Sequence, residues 1–209
     1  MRDHCTADSP LRWMRHAIAA LGILIGFVAA PAWAQGTEPA ELAVHPKTME
    51  LVGQNLQRNG VGIRYKAIFK VYSAGLYLEK PASSLEEVLA LQGPKRLSVH
   101  MLRTVKASEL GKLFAHGMED NMDKQQFSKL IPGVMRMSEL FGRYKDMQAG
   151  DEFTVDWIPG KGMRVSVNGK PDPAEFNEPE FFNAMMGIWL GPKAADGRLK
   201  QALLGNAPT

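Results

Sequence analysis

Residues 153–167 constrain the fold most. Phe153, Val155 and Trp157 alternate with Thr154 and Asp156, and Met163, Val165 and Val167 alternate with Arg164 and Ser166. A period of two is that of a half-buried strand. Pro159-Gly160-Lys161-Gly162 between the two runs predicts an antiparallel hairpin, and Asn168-Gly169 a second tight turn after it. Residues 96–102 alternate in the same way, with Leu97, Val99 and Met101 on one face. The stretch from Met49 to Leu78 is rich in Val, Ile, Leu and Tyr and reads as several strands, broken by turns at Asn59-Gly60 and near Gly75.

Helical spacing appears elsewhere. Residues 83–91 predict a short helix capped by Ser83 or Ser84. Over 107–122, Leu110, Leu113, Phe114, Gly117 and Met118 fall on one stripe. Pro132-Gly133 is expected to break the next segment, ahead of a helix that packs through Val134, Leu140, Phe141 and Tyr144 and closes at Gly150. Further helices are expected around 179–190 and 196–204. The order strands, helices, strands, helices predicts an α+β domain, helices packed on an antiparallel sheet, and not alternating βαβ units.

The N-terminus carries a different signal. Arg12-Trp-Met-Arg-His16 is basic, residues 17–30 are an apolar run, and Ala32-Trp33-Ala34 supplies small residues. This is the pattern of a cleavable export signal, with cleavage after Ala34; Met14 is an alternative start. The run is shorter than the ~20 residues of a membrane-spanning helix. In a bacterium the destination is the periplasm. Residues 35–47 are expected to be a flexible lead-in to a domain over 48–205. The single cysteine, Cys5, precedes the apolar run, so the exported chain has no disulfide, thiolate nucleophile or cysteine metal site. With the three arginines and two aspartates of residues 1–34 removed, 22 basic and 20 acidic residues remain. That balance is too small to argue for nucleic acid or an anionic membrane surface.

Familiar catalytic motifs are absent. Gly60-Val61-Gly62 opens a GxGxxG pattern, but Tyr65 occupies the third glycine position, so a dinucleotide site is rejected. No P-loop, HExxH or GxSxG occurs. His45, His100 and His116 lack metal-ligand spacing and are read as structural or surface residues, and no metal or cofactor is expected. Glu86-Glu87, Glu119-Asp120 and Asp151-Glu152 are adjacent in sequence and point apart, as solvated groups. Met135, Met137, Met163, Met185 and Met186 are read as core filler, although they also suit a pocket for a flexible apolar ligand.

Residues 60–78 carry the most specific information: G-V-G-I-R-Y-K-A-I-F-K-V-Y-S-A-G-L-Y-L. The G-x-G-x-R run followed by K-V-Y-x-x-G-L-Y-L resembles the chalcone isomerase family and its fatty-acid-binding relatives, and above all bacterial exported members. Phe141 with Tyr144-Lys145-Asp146, the strands at 152–167 and Leu190-Gly191 fit as well. The resemblance implies an open-faced β-sandwich, a large antiparallel sheet covered by helices with a ligand cleft between them. It places Arg64 at the family's ligand-holding arginine. Tyr72 stands where the plant isomerases have threonine and the fatty-acid-binding relatives tyrosine. Glu109 and His116 fall where the isomerases have a tyrosine and an asparagine. Ile188, with Trp189 beside it, replaces their polar specificity residue. The resemblance therefore implies a binder more than an isomerase.

The chemistry of the two residues is consistent with that role. A carboxylate cannot be buried unpaired; arginine offers it a bidentate, permanently charged partner and a phenol a further donor. Positions 64 and 72 share a face if one regular strand runs between them, with Lys66 and Lys70 on the same face. Without the resemblance, the residues equally describe a strand with a solvated basic face. Three expectations follow: a non-catalytic exported binder of a lipophilic carboxylate such as a fatty acid; an intramolecular lyase acting on a flavonoid-like substrate; or an envelope interaction protein without a ligand.

Overall fold

The computed structural model describes residues 38–206. The expected export signal and residues 35–37 lie outside them. Seven strands form one curled antiparallel sheet in the order β1 (Thr48–Leu51), β2 (Gln54–Lys66), β3 (Phe69–Leu78), β4 (Lys95–Met101), β7 (Glu152–Ile158), β8 (Gly162–Val167) and β9 (Lys170–Pro171). Two short strands, β5 (Val105–Lys106) and β6 (Asp146–Met147), pair separately. The helices are α1 (Ala40–Ala43), α2 (Leu85–Ala90), α3 (Ala107–Asp120), α4 (Lys124–Gly142), α5 (Pro179–Leu190) and α6 (Gly197–Leu203). The α+β open-faced sandwich expected from the sequence is the observed architecture.

The main core fills the space between one face of the sheet and the helices. Leu76, Leu97, Val99, Val155 and Val165 come from the strands, and Phe114, Leu140 and Phe141 from α3 and α4. The helix α5 lies in the middle of this layer. Nine of its twelve residues are buried, so it is apolar nearly all round, as a helix enclosed by protein must be. Phe114 packs edge-on against both Phe141 and Phe153, at centroid distances of 5.2 and 5.8 Å.

Capping follows the sequence. Ser84 Oγ accepts the backbone N–H of Glu87, and the Glu87 carboxylate in turn accepts from Ser83. Asp123 caps α4, and Asp196 caps α6 by accepting from the N–H groups of Arg198 and Leu199. Asn168 and Gly169 both have positive φ (50° and 73°), as the tight turn before β9 requires.

Several expectations are corrected. Asn59-Gly60 and Gly75 are not turns but lie inside β2 and β3; the turns are at Val52-Gly53 and Ala67-Ile68. Asn59 sits at a β-bulge, where the register shifts between Arg58 and Gly60. Its amide donates to the carbonyls of Ala82 and Leu203 and accepts from the Ala82 N–H, all at 2.8 Å, which ties β2 to α6. Gly60 is small because α6 passes directly over it: a Cβ there would lie 2.0 Å from the Ala202 carbonyl oxygen. Gly75 likewise makes room for the His45 ring. Glycine inside a strand marks close backbone approach here.

Pro132 does not break its segment, and α4 runs through it. Pro132 and Ser128 are both exposed, so the hydrogen bond that proline removes lies on the solvent side of the helix, where its loss costs least. Leu130, Gly133, Met137, Leu140 and Phe141 anchor the helix on the core side. Met135 is 59% exposed beside Ile131 on the outer face of α4, and is not core filler. The expected closure at Gly150 falls after β6, since α4 ends at Gly142.

The second face of the sheet is not simply wet. Asp156 and Thr154, expected to point to solvent, are buried, and Asp156 accepts a bidentate pair of hydrogen bonds from Arg96, both 2.6 Å. Leu51, Leu56 and Tyr77 form a small second core. Of the expected lead-in, residues 38–47 pack on the protein: His45 is buried against Ser73 Oγ (3.0 Å), and Arg58 donates to the His45 carbonyl and pairs with Glu38.

Candidate functional site

The β2–β3 hairpin brings the two candidate residues together by register. Arg64 and Tyr72 are direct cross-strand partners. They belong to neighbouring strands joined at Ala67-Ile68, and not to one long strand. Their common face follows from this pairing, and the Arg64 guanidinium lies 5.6 Å from the centre of the Tyr72 ring. Lys66 and Lys70 do not join them. The register shifts between Arg64 and Tyr65, both lysines are exposed, and Lys70 is held by Glu41 at 2.5 Å.

Arg64 and Tyr72 form one wall of a cavity of about 210 Å³. Leu110, Leu113 and Phe114 of α3 and Ile188 of α5 supply its apolar side, while His116, Asp120 and Lys193 stand at its polar rim. Gly117 keeps α3 close to α5: a Cβ there would lie 3.1 Å from Ile188 side-chain carbons. Tyr72 is only 3% exposed. Its hydroxyl oxygen accepts a hydrogen bond from Trp189 Nε1 at 2.9 Å, which leaves the hydroxyl proton free to donate. Burial pushes the Tyr72 pKa up, against the opposing charge of Arg64 and the Trp189 bond, so the group is a neutral phenol.

Arg64 Nε is buried and has no hydrogen-bond partner, and among the described residues Arg64 makes no salt bridge. An unpaired donor on a charged group is costly to bury. A cavity with an apolar wall, a neutral phenol and an arginine that has no salt bridge is suited to an anion with an apolar body.

The structure places the other sequence candidates unevenly. His116 and Ile188 line the cavity; Glu109 does not. Trp189, noted only as a neighbour of Ile188, holds the Tyr72 hydroxyl. Leu110, Leu113 and Phe114 were legible as a helix stripe, but which part of a stripe faces a cavity depends on tertiary packing. A larger space of about 610 Å³ lies elsewhere, between α2, the α3–α4 junction and α5. Its wall includes Asn121, Gln126, Lys129, Glu178 and Glu180, and Asn121 is already spent on Gly117 and Lys193. The smaller cavity, lined by an arginine without a salt bridge, is the better candidate. Among the described residues, no group of three His, Cys, Asp or Glu is placed to hold a metal ion. No described helix is long and apolar enough to cross a membrane.

Residues 40–205 match the family described as chalcone isomerase-like. The chain belongs to that family. The chalcone isomerase-like fold is also seen in the crystal structure of the Arabidopsis thaliana fatty-acid binding protein AtFAP1, at 14% sequence identity and a TM-score of 0.62. The match covers 77% of this chain and 91% of that one. No curated protein matches this chain. In this chalcone isomerase-like chain, the cavity lies between the sheet and the helices, where the family resemblance leads one to expect the cleft.

Proposed function

We propose that this protein is a non-catalytic binder of a lipophilic carboxylate, such as a fatty acid, and that residues 1–34 export it to the periplasm. In this reading Arg64 and Tyr72 hold the carboxylate, and Leu110, Leu113, Phe114 and Ile188 cover the first part of the chain. The observation that carries it is Arg64, an arginine without a salt bridge among the described residues, beside the buried Tyr72 phenol at the wall of an apolar cavity. AtFAP1, a fatty-acid binding protein by name, shares the fold. The cavity is smaller than the ~300–1,000 Å³ of most ligand pockets. A long acyl chain therefore leaves past Leu113, which is 43% exposed at the mouth.

The test is calorimetric titration of residues 35–209 with fatty acids of increasing length, beside their methyl esters and beside Arg64→Ala. Loss of a charge-assisted hydrogen bond is worth ~1.5–3 kcal/mol, so Arg64→Ala should weaken binding about 10–100-fold, and the esters should bind equally poorly to both proteins. Equal affinity for acid and ester in the wild type would exclude the proposed role of Arg64.

One observation favours a second reading. His116 lines the same cavity as Arg64 and could move a proton there. An intramolecular lyase acting on a flavonoid-like substrate would then turn over, with activity lost in both Arg64→Ala and His116→Ala. Absence of turnover in the wild type removes this reading.

A further inference from the structure

The β2–β3 hairpin that carries Arg64 and Tyr72 ends in an unusual tip. A two-residue loop, Ala67-Ile68, closes it. Turn positions of this kind favour glycine or asparagine; Ala67 instead sits at φ 54°. The tip is also apolar. Ile68 is 84% exposed, Phe69 57% and Tyr65 41%, three exposed large apolar side chains within one five-residue stretch. Basic groups surround it. Arg103 lies over the Phe69 ring at 5.2 Å, and Lys66 and Lys70 flank the loop. The nearby carboxylates are engaged: Glu41 with Lys70, and Asp196 with the N–H groups of Tyr65, Arg198 and Leu199. Among the described residues, Lys66 and Arg103 make no salt bridge.

We infer that this tip docks the protein on an anionic lipid surface. Exposed Ile and Phe side chains enter the boundary between headgroups and acyl chains, and the two cations without a salt bridge, Lys66 and Arg103, attract the negative headgroups, the combination that gives interfacial binding. The attraction is local, which is why the small net charge of the whole chain does not show it. The loop begins three residues along the chain from Arg64, about 10 Å, so docking brings the cavity mouth close to the lipid. The purpose of docking, delivery or collection of an acyl carboxylate, rests on the binding reading above; docking itself does not.

The test is flotation of residues 35–209, a segment that contains the whole described core, with vesicles of phosphatidylcholine alone or mixed equally with phosphatidylglycerol. The wild type should float with the mixed vesicles, not with phosphatidylcholine alone, and 0.5 M salt should weaken binding. Ile68→Ser/Phe69→Ser should raise the half-saturating lipid concentration at least tenfold while leaving fatty-acid affinity in solution unchanged. Lys66→Glu/Arg103→Glu, which leaves the apolar tip intact, should do the same. Arg64→Ala should lose fatty acid but keep vesicle binding, so failure of the two proposals is distinguishable. Docking is overturned if the wild type does not float with anionic vesicles, or if both tip variants float as well as it does. It is equally overturned if the tip proves to be a dimer contact, seen as a wild-type dimer and monomeric tip variants without vesicle binding.

Discussion

Arg64 and Tyr72 illustrate two kinds of polar residue. Tyr72 is satisfied within the fold, because its oxygen accepts from Trp189. Tyr72→Phe would strand the Trp189 N–H in the core and should cost roughly 1–3 kcal/mol of stability, read from the denaturant midpoint. Arg64 Nε lacks a hydrogen-bond partner and the residue makes no salt bridge among the described residues, so Arg64→Ala should change stability little while binding falls, the signature of a residue kept for function. His45 makes a third case. Burial above all pushes its pKa down to about 4, with Glu152 pulling the other way and His100 and Arg58 reinforcing the drop. The unfolded imidazole titrates near 6.5, so between pH 6.5 and 4 only the unfolded chain takes up this proton. The His45 contribution is therefore full above pH 6.5 and lost as pH falls towards 4. Between pH 7 and 5 the loss is on the order of 2 kcal/mol. Urea unfolding at the two pH values should show it in the wild type and less of it in His45→Gln.

At the scale of elements, the sequence disclosed periodicity well and proximity poorly. The β7–β8 hairpin, the α3 stripe, the Ser84 cap and the Asn168-Gly169 turn were legible because each is decided within a few residues. Asn59-Gly60, Gly75 and Pro132 mislead in sequence because each is decided by something distant: α6 over Gly60, His45 over Gly75, and the docked face of α4 opposite Pro132. Two substitutions test these accounts. Gly60→Ala places a Cβ against the α6 backbone and should cost ~1–3 kcal/mol or undock the helix, visible as faster amide exchange over residues 197–203. Pro132→Ala restores an exposed helix hydrogen bond and should raise the melting temperature, since proline inside a helix is unfavourable by up to ~3 kcal/mol. The candidate site follows the same division. Arg64 and Tyr72 are legible through the resemblance, while their pairing across two strands depends on the register of β2 and β3, and the part of Trp189 on the packing of α5 against the sheet.

For the molecule as a whole, the sheet has two unlike faces. One is sealed by helices and holds the cavity near one end of the β2–β3 ladder. The other carries paired polar groups, Arg96 with Asp156, Ser98 with Glu152 and His45 with Ser73. Arg96→Ala would leave the buried Asp156 carboxylate without its partner and should cost about 3–5 kcal/mol, measured by chemical unfolding. Both faces fix the hairpin, so the Arg64 guanidinium is positioned before any ligand arrives. The most direct measurement is the ¹⁵N–¹H resonance of Arg64 Nε during titration with a fatty acid. If the carboxylate occupies this cavity, the resonance shifts downfield and its exchange with water slows, in step with the bound fraction. If the acid binds while this resonance stays unchanged, the ligand lies elsewhere, with the larger space beside Asn121 the next place to look, and the account of the site is wrong.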